Sequence, residues 1–242
     1  MSGSKSRRPG RKPYADKKGL AERLSPADRT SIAATRPVQS PGPVEGRLLV
    51  VGVIAALVIS AIDCADPMTW LLEVVWILIG LPLLIWQWPR FPLTRLLCWL
   101  LAAHALVLMI GGHYTYAKVP AGLWLQDALG LARNHYDRLG HLMQGFVPAV
   151  LVRELLLRSS PLPRGRWLFV LVTCACLAFS AFFEMIEWWS ALLWGGRADA
   201  FLATQGDVWD TQWDMFCALI GALVSQVVLA RLHDRQLGLP PR

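Results

Sequence analysis

Leu48-Leu49-Val50-Val51-Gly52-Val53-Ile54-Ala55-Ala56-Leu57-Val58-Ile59-Ser60-Ala61-Ile62 runs without a charge between Arg47 and Asp63. With its flanks it occupies roughly 46–64, close to the 20 residues that cross a hydrocarbon layer of about 30 Å. Five similar stretches follow, at about 69–87, 94–112, 138–157, 166–189 and 211–231, the fourth being the least apolar. Composition agrees. The chain is 55% hydrophobic and 17% charged, whereas a soluble domain carries about 25% charged residues. Mean hydropathy is +0.41. Trp70, Trp86, Trp88, Trp188, Trp189 and Trp194 fall at span ends, as an interfacial belt requires. The expected fold is an all-α integral membrane protein of six transmembrane helices, with a transmembrane domain over 47–232 and a short tail over 233–242.

Charge sets the orientation. Lys5, Arg7, Arg8, Arg11, Lys12, Lys17, Lys18, Arg23, Arg29, Arg36 and Arg47 face only Asp16, Glu22, Asp28 and Glu45, so the whole net charge of +7 sits in the first 47 residues. This segment is rich in Pro, Gly and Ser and lacks apolar periodicity, which predicts a disordered basic tail over 1–46. Its charge suits anionic headgroups, and no nucleic-acid partner is expected. Arg90 and Arg95, then Arg158, Arg164 and Arg166, then Arg231, Arg235 and Arg242 mark the same side. The positive-inside rule therefore puts both termini in the cytoplasm, as an even number of spans also demands. The loop before the fourth span is mixed in sign, and 121–132 reads as a short helix lying in the interface. No internal repeat is evident, unlike many transporters.

Two targeting readings fail. Ser6-Arg7-Arg8 resembles a twin-arginine start, but Pro9-Gly10 follows and the apolar run begins some forty residues later. The first run ends in Asp63-Cys64, which suits neither ordinary cleavage nor a lipoprotein site, so it reads as an uncleaved span. The five cysteines show no metal-type spacing, and Cys174 and Cys176 point about 200° apart on a helix.

Ionisable residues gather at one set of span ends. Asp137, His141, Gln144 and Pro148 stand at offsets 0, 4, 7 and 11 and fall within about 60° of one another. An Asp four residues before a His can fix the imidazole tautomer or supply two ligands to one metal. Glu184 and Glu187 share a face at i, i+3, and two such carboxylates in low dielectric call for a proton, a cation or an Arg. Asp207, Asp210 and Asp214 share another face, which Gly221 continues, leaving room for a neighbouring helix. Acids in a first helical turn are ordinarily caps. That covers Asp207 or Asp210, but not the deeper Asp214. His113 is a candidate partner for Asp214, Glu73 either joins the cluster or reaches the interface, and His104 reads as a helix–helix hydrogen-bond partner.

The run Asp137-Arg138-Leu139-Gly140-His141, Gln144-Gly145-Phe146-Val147-Pro148 and Arg153-Glu154, then Glu184-x-x-Glu187-Trp188-Trp189, then Ala198 to Met215 with Thr204-Gln205-Gly206-Asp207 and Trp209-Asp210-Thr211-Gln212-Trp213-Asp214, resembles the YjdF-like bacterial inner-membrane family. The resemblance covers roughly 48–232 and implies the bacterial inner membrane, with no established activity. A weaker similarity runs to the VanZ-like membrane proteins, whose pattern Asp137, Arg138 and His141, Glu184 or Glu187, then Asp210 and Asp214 match in order. Asp214 stands where that pattern has Asn.

Three functions compete. An outward-facing pocket of Asp137, His141, Glu184, Glu187, Asp207, Asp210 and Asp214 can bind a divalent cation. In the same pocket His141, Asp137, Glu184 and Asp214 can do acid–base work on a lipid or envelope substrate. The same acids can serve a proton- or cation-coupled transporter, or hold helices together in a non-catalytic membrane factor. The residues alone decide neither whether the protein is an enzyme nor its oligomeric state.

Overall fold

In the computed structural model, which describes residues 37–241 with the backbone alone at 197–199, every described regular element is helical. Helix α1 spans Pro43–Ala61, α2 Pro67–Gln87, α3 Arg95–Tyr114, α4 Pro120–Leu129 and α5 Tyr136–Ser159. Helix α6 spans Arg166–Trp194, α7 Asp199–Leu202, α8 Asp210–Val228 and α9 Ala230–Gln236. Of the expected basic tail, 1–36 lies outside the described residues. Pro37–Gly42 is non-helical, and Gln39 ties it down by donating to Gln236 O at 2.7 Å and accepting from Arg95 N at 2.8 Å. The first helix begins at Pro43, inside the stretch expected to be tail.

Local chemistry sets several helix ends. Asp66 Oδ1 accepts from Thr69 N at 2.7 Å and caps α2, whose first residue is Pro67. Thr94 caps α3. Helix α4 matches the short helix expected at 121–132 and ends on Gly130 at φ 63°, a left-handed conformation that glycine adopts without a Cβ clash.

Five helices, α1, α2, α3, α6 and α8, are long and apolar enough to cross a membrane by length and composition. The expectation was six, and the difference is α5. Its 24 residues give ample length, but Asp137, Arg138, His141, Arg153, Glu154 and Arg158 lower its hydropathy. Most of these polar groups are buried against neighbouring helices. At one end Tyr136 Oη donates to Val107 O at 3.1 Å, and at the other Arg158 NH1 donates to Pro92 O at 2.7 Å, so α5 runs alongside α3 for most of its length.

Helices α5 and α8 form the tightest pair. A Cβ on Gly145 would fall 1.8 Å from Ala218 O, and one on Gly221 would fall 2.1 Å from Leu142 O. Lipid tails are as apolar as leucine, so helices inside a bilayer gain little from hydrophobic burial and associate through close packing of small residues. The room expected at Gly221 is thus used by α5, and Gly145 supplies the matching hollow.

The bundle end opposite Asp137 is fastened by a second buried network. Glu154 accepts from Thr94 Oγ1 at 2.7 Å, Arg158 NH1 at 2.6 Å and His233 Nε2 at 3.0 Å. Arg153 NH1 lies 2.8 Å from His233 Nδ1. A guanidinium only donates, so Nδ1 accepts and the proton sits on Nε2, facing Glu154. Arg153 also pairs with Asp234, which Arg164 NH1 reaches at 3.2 Å. Burial pushes the Asp234 carboxyl up, but the two guanidiniums outweigh it and hold it below its ordinary value.

A candidate cation centre in the helix bundle

Three helices deliver the inner group. Asp137 and His141 stand one turn apart on α5, Glu184 comes from α6 and Asp214 from the second turn of α8. All four are buried. His141 Nε2 lies 3.6 Å from Asp137 Oδ1 and 4.0 Å from Asp214 Oδ2, and its Nδ1 lies 3.8 Å from Glu184 Oε1. Glu187, half-buried one turn beyond Glu184, completes a second set with His141.

The imidazole is oriented by its other contact. Nδ1 lies 3.1 Å from Gln144 Oε1, an acceptor, so Nδ1 donates there and Nε2 faces Asp137 and Asp214. A lone pair facing two carboxylates is repulsive unless a proton or a cation sits between them. Moreover, Glu184 Oε1 and Asp214 Oδ1 are buried with no hydrogen-bond partner among the described residues. Donor atoms of Asp137, His141 and Asp214 lie within 4.8 Å of one another. Ligands about 2.1 Å from one tetrahedral ion stand about 3.4 Å apart, so small rotamer changes would close this set on a cation.

Asp207 and Asp210 are drawn elsewhere. Arg133 NH1 pairs with Asp210 and lies 3.4 Å from Asp207 Oδ2, while Arg138 NH2 reaches the same Asp207 oxygen at 2.7 Å. The Trp209 N–H on Asp207 Oδ1, joined by Arg138 and Arg133, holds that carboxyl below its ordinary value. Burial and the nearby Arg138 and Arg133 push the His135 pKa down. These groups form an ion-paired rim over the centre, connected to it by Arg133 NH2 at 3.8 Å from Asp137 Oδ2. Asn134 stiffens the rim. Its side chain donates to Ala117 O and Val119 O and accepts from Tyr136 N, and its backbone binds the Gln205 side chain. Residue reading missed Arg133, Asn134 and Gln205 as a unit. The only sequence signal was the Thr204-Gln205-Gly206-Asp207 stretch, which carries no spacing rule of its own.

The remaining candidates divide. His113 does not meet Asp214; its Nδ1 lies 3.1 Å from Ser60 O. Glu73 is buried beside the Tyr116 phenol and lines a cavity of about 870 Å³ together with Asp137, His141 and Gln144. His104 lines the same cavity, and its Nε2 has no hydrogen-bond partner among the described residues, unlike the helix–helix bond expected for it. Asp137 and His141 therefore border a chamber, while Glu184 and Asp214 stand behind them.

Comparison with known proteins agrees with this membrane architecture. The family model described as "Predicted membrane protein (DUF2238)" matches residues 46–235. The chain is 52% identical over 181 residues to "Inner membrane protein YjdF" of Escherichia coli (strain K12), covering 75% of this chain and 87% of that protein. No solved structure matches, and the weaker VanZ-like similarity gains no support. With a match extending over most of its length, the chain belongs to the DUF2238 family of predicted membrane proteins.

Proposed function

We propose that the protein is a six-span inner-membrane protein with both termini cytoplasmic, whose outward-facing centre binds one divalent cation and acts on a lipid or envelope substrate. Asp137, His141 and Asp214 are the ligands, and Glu184 and Glu187 stand beside them as the acid–base pair. Asp207 and Asp210, matched to Arg133 and Arg138, hold the rim in place. The sixth span is α5, and its run alongside α3 supports that reading.

One observation carries the proposal: buried carboxylates from three helices surround the His141 imidazole, and two of their oxygens have no donor among the described residues. The Glu154 carboxylate, by contrast, is satisfied on both oxygens. A cation held by Asp137, His141 and Asp214 would lower the pKa of a coordinated water, and Glu184 would serve as its acid–base partner. Titrating the chelator-treated protein with Mn²⁺ and following the free-ion paramagnetic resonance signal tests this. One ion per chain is expected for the native protein and none for His141→Ala. Equal uptake by both sinks the proposal.

A further inference from the structure

The chamber continues past His141 into the bundle. Its head is polar, with Glu73, Asp137, His141 and Gln144, while its depth is walled by residues such as Leu84, Leu101, Pro148 and Leu151. Among its lining residues, Trp76 Nε1 and His104 Nε2 are buried without a hydrogen-bond partner among the described residues. A buried indole N–H or imidazole nitrogen is rarely left unpaired, so these two atoms in the lining point to an occupant with polar atoms. Its volume of about 870 Å³ falls within the roughly 300–1,000 Å³ of small-molecule sites.

The chamber also has a mouth. Helices α1 and α2 are joined near the Asp137 end, where Trp70 Nε1 donates to Ser60 Oγ at 3.0 Å. Farther along, Val51 and Ile85 line the chamber yet are 63% and 50% exposed, on a face made of apolar side chains that the bilayer covers. An occupant admitted through this face comes from the lipid phase. A protein helix, about 10–12 Å across, needs an open face, and here α1, α2, α3, α5 and α6 all contribute wall.

We propose that the chamber takes one hydrocarbon chain of a bilayer phospholipid, admitted between α1 and α2. Its ester oxygens lie against Trp76 and His104, and its head reaches the His141 centre. The head placement rests on the cation-centre reading; the chain placement rests on the chamber alone.

Two glycines allow a clean test. Gly46 and Gly80 line the chamber, and a Cβ on either meets nothing within 4 Å, so a bulky side chain there fills space without displacing the fold. The full chain is placed in phosphatidylethanolamine–phosphatidylglycerol vesicles containing a phospholipid with a diazirine in mid-chain, irradiated and peptide-mapped. Label is expected on the chamber-lining stretches of α2 and α3, falling about tenfold in Gly46→Trp and Gly80→Trp. Label at the lipid-facing Val227 and Val228 should stay constant. Chamber label no stronger than at Val227, or unchanged by both fillings, overturns the inference, as does cross-linking of these residues to a second copy. Mn²⁺ uptake is measured on the same samples. His141→Ala should lose the ion and keep the chain label, whereas Gly80→Trp should keep the ion and lose the label. The two readings therefore fail separately.

Discussion

Asp214 shows most plainly what separates a site from a scaffold. It is buried, the His141 Nε2 lies 4.0 Å from its Oδ2, and its Oδ1 has no hydrogen-bond partner among the described residues. An uncompensated buried carboxylate destabilises, and leaving such a group unsatisfied costs about 1–3 kcal/mol or more. Asp214→Asn is therefore expected to raise the melting temperature of the metal-free protein in detergent while abolishing cation uptake; a fall in melting temperature points to a structural role instead. Asp234 behaves oppositely. Its folded carboxyl lies below the ordinary 3.8, so its contribution to stability is present above that value and disappears as pH falls through the folded pKa. Stability should thus hold from neutrality to about pH 4 and decline below it, with Asp234→Asn flattening that acid limb in a thermal-melt series. The inner acids were legible as residues because ionisable groups at lipid depth stand out against an apolar run. Which acids meet which bases was not, since Arg133 and Arg138 lie in or next to a mixed-sign loop whose path no periodicity constrains.

Helix pairing is where small residues do what burial cannot. The approach of α5 to α8 leaves no room for a Cβ at Gly145, 1.8 Å from a backbone oxygen that cannot swing aside. Gly145→Leu should part the two helices and lower stability by about 1–3 kcal/mol or more, and it should weaken cation uptake because Asp137, His141 and Asp214 ride on those helices. Gly80→Ala, in open space, should be neutral or stabilise by up to about 1 kcal/mol. Thermal melts and Mn²⁺ titration of both variants check this. Span positions came through well in the sequence: 69–87 corresponds to Pro67–Gln87, and 166–189 to a helix that runs on to Trp194. Hydropathy marks where a helix enters and leaves lipid, and it is weakest for α5, whose polar side chains face other helices rather than lipid.

Across the whole molecule, polarity is segregated to the two ends of the bundle, with an apolar chamber between them. At one end, Glu154, His233, Arg153 and Asp234 are mutually satisfied and lock α5 to α9. At the other, the rim acids are matched by guanidiniums, while Asp137, Glu184 and Asp214 surround His141, and Asp137 and His141 line the chamber. The contrast between a closed network and an open one separates scaffold from site. Neither feature was visible beforehand: the network around Glu154 joins residues 60 to 79 positions apart that only the packing of α3, α5 and α9 brings together, and the chamber takes its wall from α1, α2, α3, α5 and α6. The central claim is best tested by the metal content of the full chain purified from membranes without chelator, measured by inductively coupled plasma mass spectrometry beside Asp137→Asn, His141→Ala and Asp214→Asn. The account predicts about one divalent ion per native chain and less than about a tenth of that in each variant, all three still folded. A native protein free of metal, or variants that keep a full complement, would contradict it.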